Sequence, residues 1–225
     1  MSTCAPTVAA VIWDWNGTLL DDLGLCLASI NVALREAGLP EVSGPQAYRE
    51  AFGWPIREYY RRLGFVGDDE FRRGASRYVE LFDAGVAHVG LHDGAREALT
   101  AIEGLGLRQV LISATRQERL GPQVDGHGLT SCFEAVLDTD EALDPSKQGI
   151  VARWLEASEL PASQVLMVGD TNHDEEIAAE LGCPFVRFTS GNQAPSAAST
   201  APRIGHLSQL AELVGQWAST SSTGV

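Results

Sequence analysis

The chain has 225 residues, 44% hydrophobic and 20% charged, enough to bury a full core as one ordinary domain or one domain carrying an insertion. A formal charge of −14 repels phosphate backbones, which excludes a nucleic-acid-binding surface. Four cysteines, Cys4, Cys26, Cys132 and Cys183, have no CxxC spacing, and no basic leader or membrane-length apolar run occurs. Those absences exclude a disulfide framework and a zinc site, and the expectation is a cytoplasmic protein that meets no membrane.

Val8 to Trp15 is a near-continuous apolar run, the pattern of a strand buried in a parallel sheet covered on both faces. Asp14 stands at its mouth and Asn16-Gly17-Thr18 turns the chain. An ionised carboxylate is costly to keep at such a place, so it is expected to have a task.

Residues 23 to 91 do not continue the strand pattern. "LGLCLASINVALREAGL" has helical apolar spacing and ends at Gly38, a C-cap signal. "PQAYREAFGW", "IREYYRRLGF" and "DEFRRGASRYVELFDAGV" also read as helices, and none contains a convincing strand. This stretch is predicted to be an all-helical insertion.

From His92-Asp93-Gly94 onward strands and helices alternate. Strands are predicted at Val110–Ser113, more weakly at Ala135–Leu137, and at Val165–Val168 and Phe185–Phe188. Helices are predicted at Ala95–Leu105, Gln148–Glu156 and Glu175–Leu181. Lys147, the single lysine of the chain, follows an Asp144-Pro145 break and opens a helix. Gly169-Asp170-Thr171-Asn172-His173-Asp174 follows the fourth strand. The small polar tail 218–225 is expected to be disordered.

The pattern predicts an α/β fold: a doubly wound (Rossmann-like) parallel sheet core, residues 1–22 and 92–217, with an inserted all-helical cap domain, residues 23–91. In such sheets ligands sit beyond the carboxyl ends of the strands.

Four features fall at strand ends or helix starts in order: Asp14 with Asn16-Gly17-Thr18, Ser113, Lys147, and Gly169-Asp170 with Asp174. Each alone is weak; an aspartate before Asn-Gly is commonly a turn, and an aspartate after a loop commonly starts a helix. As a set they resemble the motifs of the haloacid dehalogenase-like hydrolase superfamily. The helical insertion after the first motif is similar to that of its phosphoglycolate phosphatase-like members. The resemblance implies that Asp14 attacks phosphorus and forms an aspartyl-phosphate. It further implies Mg2+ held by Asp14, Asp170 and the backbone carbonyl of Asn16, with Asp174 nearby. Ser113 is then expected to hydrogen-bond a phosphoryl oxygen and Lys147 to bridge Asp14 and the phosphoryl group, with Thr18 and Ala114 on the substrate side.

Asn16 departs from the family pattern. Its phosphatases carry an aspartate there that protonates the leaving oxygen and later deprotonates water. An amide has no titrating proton, and losing acid–base catalysis forfeits about 10²–10⁴-fold in rate. The leaving group is good enough to need little acid, another group or water carries the proton, or hydrolysis has been given up. Dehalogenation is disfavoured by the complete acidic loop, and Schiff-base chemistry by the absence of any lysine in residues 23–91. His173 is a titratable neighbour by type, though an exposed or supporting position beside a helix start suits it better; Asp21 and Asp22 are expected to start the first helix, with Asp22 as cap.

In the insertion, "FGWPIREYYRR" offers Trp54 to shape the pocket and Arg57 to contact an anionic or polar substrate group. The expected function is a magnesium-dependent phosphatase of a small phosphorylated metabolite, as monomer or homodimer. The alternatives are a phosphotransferase or mutase-like member, or a catalytically weak phospho-ligand-binding protein.

Overall fold

The computed structural model describes residues 8–138 and 146–222, with side chains to Trp217. Cys4 and the Asp144-Pro145 break lie outside the described residues; Cys26, Cys132 and Cys183 are free thiols.

Six strands form one sheet: β1 (Ala10–Trp13), β2 (Arg108–Ile112), β3 (Ala135–Leu137), β4 (Val165–Gly169), β5 (Phe185–Phe188) and β6 (Arg203–Ile204). Their order is β3-β2-β1-β4-β5-β6, and every pairing is parallel. β1 lies at the centre, with Ile12 in register with Val110 of β2 and Met167 of β4. All four of its residues are buried, because helices cover both faces.

Alternate side chains feed two cores. Val11 and Trp13 join the cluster under α5 (Ala95–Gly104), α6 (Gln117–Gly126) and α9 (Gln209–Ser222). Ala10 and Ile12 join the cluster under α7 (Lys147–Ser158) and α8 (Asn172–Leu181). Between β1 and α5 come α1 (Leu23–Glu36), α2 (Pro45–Ala51), α3 (Ile56–Arg62) and α4 (Asp68–Gly85). They bury a third cluster of their own, including Cys26, Ile30, Leu34, Tyr48, Tyr59 and Tyr60. In α1 the buried positions Cys26, Ile30, Ala33 and Leu34 recur at helical spacing. No helix among the described residues is long and apolar enough to cross a membrane.

Three elements differ from the sequence expectation. β1 stops at Trp13 because the N–H groups of Thr18, Leu19 and Leu20 all converge on the Trp15 carbonyl, which rolls the chain into a loop. α6, which carries Pro122 and two glycines, is a helix beyond those expected, and it buries Leu120 and Val124. α9 continues to Ser222, so residues 218–222 of the stretch expected to be a disordered tail have helical backbone. That helix is anchored upstream by Leu210 and Val214 in the first core.

Candidate active site

The carboxyl ends of β1 and β4 are neighbours, which sets the site. The Asp14 N–H donates to the Val168 carbonyl at 3.0 Å, extending the β1–β4 ladder by one residue and bringing Asp14 beside Asp170. Gly17 follows at φ +76°, and a Cβ there would strike the Asp170 carboxylate and the Asn192 amide, so only glycine fits. That turn returns Thr18, whose hydroxyl lies 3.1 Å from Asp14 Oδ2 and 3.2 Å from Asp170 Oδ1.

Lys147 is the first residue of α7, behind an N-cap in which Ser146 Oγ accepts from the Gly149 N–H. Its buried Nζ donates to Asp14 Oδ1 and, at 2.6 Å, to Asp174 Oδ1. Asp174 is in turn fixed by the start of α8. Its Oδ2 accepts from the Thr171 N–H at 3.1 Å and the Thr171 hydroxyl at 2.5 Å, a reciprocal capping arrangement.

Asp14, Asp170 and Asp174 each present a carboxylate oxygen within 4.8 Å of the others, opposite one ammonium. Burial raises the Asp14 pKa to about 6 against the opposing pull of Lys147. Burial, then the charges of Asp14 and Asp174, push Asp170 well above the carboxylate range. Burial would also raise Asp174, but Lys147 outweighs it and holds that group low. Burial alone would depress the Lys147 ammonium; the two carboxylates reverse the shift and hold it charged. The cluster therefore has more negative charge than its lysine neutralises. A hard divalent cation with oxygen ligands fits this donor set.

The amide of Asn16 is tied at both ends. Nδ2 donates to Asp22 Oδ2 at 2.7 Å, and Oδ1 accepts from the Thr115 hydroxyl at 2.7 Å. Asp22 Oδ1 accepts from Asn192 Nδ2 at 2.7 Å, and the Asn192 N–H donates to Asp170 Oδ2 at 2.6 Å. Burial raises the Asp22 pKa, and the two amides act against it.

A small cleft of about 120 Å³ opens above the carboxylates, and Asp14, Asn16, Ser113, Ala114, Lys147 and Trp54 are among its lining. Ser113 Oγ accepts from the Thr115 N–H at 3.1 Å, which leaves its own proton to donate. Trp54 meets His173 across the rim, their rings 5.1 Å apart, and His173 is partly exposed. Three residues sit differently from the expectation. Thr18 is fully buried, its hydroxyl taken by the two carboxylates and its N–H by the Trp15 carbonyl. Arg57 points away, paired with exposed Asp68 and lying over the Phe71 ring. Asp22 stands at the N-cap of α1 but makes no side-chain cap hydrogen bond, because both oxygens are held by Asn16 and Asn192.

Sequence reasoning passed over Thr115, Asn192 and the loop that carries it. The loop after β5 is docked to the helices: Arg49 Nε donates to the Gly191 carbonyl at 2.7 Å, and Gln193 Nε2 to the Phe52 carbonyl at 2.7 Å. The available signal was position alone, a Gly-Asn pair just beyond the end of a parallel strand.

The profile of a family described as haloacid dehalogenase-like hydrolase matches residues 11–188. Over 231 aligned residues the chain is 27% identical to a phosphoglycolate phosphatase of Vibrio parahaemolyticus, covering 92% of this chain and 96% of that protein. A haloacid dehalogenase-like family hydrolase from Streptococcus pneumoniae has the same fold, with TM-score 0.78, 17% identity, and coverage of 92% and 99%. Protein Tyrosine Kinase A of Mycobacterium tuberculosis matches with TM-score 0.76, 25% identity, and coverage of 94% and 99%.

Proposed function

The chain belongs to the haloacid dehalogenase-like hydrolases, and from that premise we propose that it is a magnesium-dependent phosphatase hydrolysing a small phosphorylated metabolite in the cytoplasm. The observation that carries the reading is Asp14: a carboxylate at the mouth of the central strand, one oxygen on the Lys147 ammonium and the other on Thr18, beneath an open cleft. Relatives of similar length named phosphoglycolate phosphatase support a phosphomonoester as substrate.

In this reading Asp14 attacks phosphorus and water then releases phosphate from the aspartyl-phosphate. Lys147 neutralises charge on the transferring group, and Ser113 donates to a phosphoryl oxygen. Magnesium bound by Asp14, Asp170 and the Asn16 carbonyl supplies charge neutralisation and orientation, with Asp174 holding Lys147 beside it. Residues 23–91 act as a cap over a core of residues 1–22 and 92–217.

Phosphate release from a panel of small phosphate esters, with magnesium and with EDTA, tests the reading. Turnover is expected only with magnesium, and Asp14→Asn should lose at least about 10³-fold. A folded protein that releases phosphate from no ester would sink it. A second reading is transfer of the phosphoryl group to a substrate hydroxyl: the engaged Asn16 amide supplies no base to either acceptor, so the choice between water and an alcohol rests on which of them the cleft holds. The relative named Protein Tyrosine Kinase A is compatible with that outcome. It would appear as phosphoryl label from an acyl phosphate entering an added alcohol in preference to water.

A further inference from the structure

We propose that the leaving group is an aryl oxide, so that aryl phosphates are the preferred substrate class; this rests on the phosphatase reading above.

The first argument concerns protons. Asn16 has none to give, and its amide is fixed on both sides, so it cannot turn a neighbour toward the leaving oxygen. The other ionisable groups near the reacting centre are engaged, Asp170 included, whose two oxygens accept from the Thr18 hydroxyl and the Asn192 N–H within the acidic cluster. Lys147 is held by Asp14 and Asp174, Asp22 by two amides, and Asp83, farther along the cleft, by Arg119 at 3.1 Å. His173 lines the small cleft, but its ring packs on Trp54 and its Nδ1 lies 3.8 Å from Glu176 Oε2. The leaving oxygen therefore departs as an anion. A phenol ionises near a pKa of about 10, whereas a simple alkanol resembles water, at about 15.7. Departure without a proton is far easier for the first.

The second argument concerns shape. The small cleft above Asp14 shares Asn16, Phe52, Ala114 and Asn192 with a larger one of about 310 Å³ between the helices and the sheet. The wall of the larger cleft carries Tyr48, Phe52, Tyr78 and Phe82, and Trp54 stands at the mouth of the smaller. An apolar cavity of about 150 Å³ accepts benzene, so the volume admits a substituted ring. Aromatic walls favour such a ring by offset or edge contacts.

The step balances without a further reagent. An Asp14 carboxylate oxygen bonds to phosphorus as the bond from phosphorus to the aryl oxygen breaks, and the electron pair stays on that oxygen. The phenolate leaves and takes a proton from solvent. Water then attacks phosphorus, the bond to Asp14 breaks with its pair returning to the carboxylate, and a proton passes to solvent. The products are a phenol and inorganic phosphate.

The test is kcat/KM of the magnesium-loaded wild type for substituted phenyl phosphates and for alkyl phosphates, read as phosphate release. The expected result is an aryl-over-alkyl preference of at least about 10²-fold, the scale of missing acid catalysis, with rates falling steeply as leaving-group pKa rises. In Asn16→Asp/Asp22→Asn the preference should shrink by about tenfold or more, because an acid is restored for the poor leaving groups. Phe52→Ala should raise KM for aryl esters about threefold to tenfold more than for alkyl esters. Equal or better turnover of alkyl esters, or a flat dependence on leaving-group pKa, overturns the proposal and leaves the phosphatase reading standing; loss of that alkyl activity in His173→Gln would name the proton donor. Silence on every ester overturns the phosphatase reading itself.

Discussion

An amide at position 16 and a carboxylate at position 22 form a single unit, because they touch at 2.7 Å inside a site where Asp22 is fully buried. Two carboxylates at that distance could not both stay ionised. Restoring the family's aspartate by Asn16→Asp alone should therefore destabilise the protein by about 1–3 kcal/mol, through a lost hydrogen bond and an added buried like charge. Asn16→Asp/Asp22→Asn returns one acid and one amide to the pair and should recover most of that loss in thermal melts. An Asn16→Asp protein as stable as wild type would mean that the pair is not coupled. The sequence announced Asn16 as a departure, but not its partner. Five residues of intervening turn hide the contact, and Asp22 reads locally as a helix cap, which it occupies by position and not by side-chain bonding.

Arg49 of α2 ties the inserted helices to the loop after β5. Its guanidinium donates to the Ser190 carbonyl at 3.1 Å and the Gly191 carbonyl at 2.7 Å, and its own carbonyl accepts from the Ala194 N–H at 2.9 Å. Hydrogen bonds from a charged group are worth about 1.5–3 kcal/mol each, and the loop they hold carries Asn192 into the site. Arg49→Ala should raise KM by about tenfold and speed amide exchange in residues 190–194. Arg57→Ala removes an exposed pair with Asp68 and a contact over the Phe71 ring, so stability should fall by no more than about 1 kcal/mol and KM should not move. Helix existence in the insertion was legible from apolar spacing. Which arginine faces the sheet was not, because that depends on how the helices lie across β4 and β5. Strands β1, β2, β4 and β5 were legible for the opposite reason, since runs buried on both faces need no partner to be recognised, and half-buried β3 was the weaker signal.

At the scale of the whole molecule, the acidic site couples metal binding, pH and stability. Asp14 has an ordinary value of 3.8 and a folded value of about 6. Folding raises its pKa, so its contribution is fully present below the unfolded value and is lost as pH rises through the folded one. Asp170 and Asp22 are shifted in the same direction. Asp174 runs the other way: its pKa is lowered, so its contribution is present above the ordinary carboxylate value and lost as pH falls through the folded one. In EDTA the three raised groups should dominate, and Tm should fall between about pH 4 and pH 7. Magnesium should flatten that slope and stabilise the protein near neutrality, by about 2.7 kcal/mol at a hundredfold excess over Kd. Calorimetry across pH with and without magnesium decides it; a slope unaffected by the cation would argue against a metal among Asp14, Asp170 and Asp174.

Sequence by itself determined the alternation of buried strands and helices, the helical insertion, and the residues that meet at the strand ends. The first two follow from local periodicity, and the third from turns at strand ends read together with the family resemblance. It did not reach the two-residue β6, nor α6 with its internal proline, because both are held by burial against other elements and not by local preference. Only the tertiary structure decided that Thr18 binds carboxylates, that Arg57 faces solvent, and that Asp22 and Thr115 clamp Asn16. Asn16 and Asn192 are 176 residues apart in the chain, yet Asp22 holds both through hydrogen bonds of 2.7 Å. Contacts of that kind carry no local sequence signal; they exist because a parallel sheet delivers the ends of distant strands to one edge.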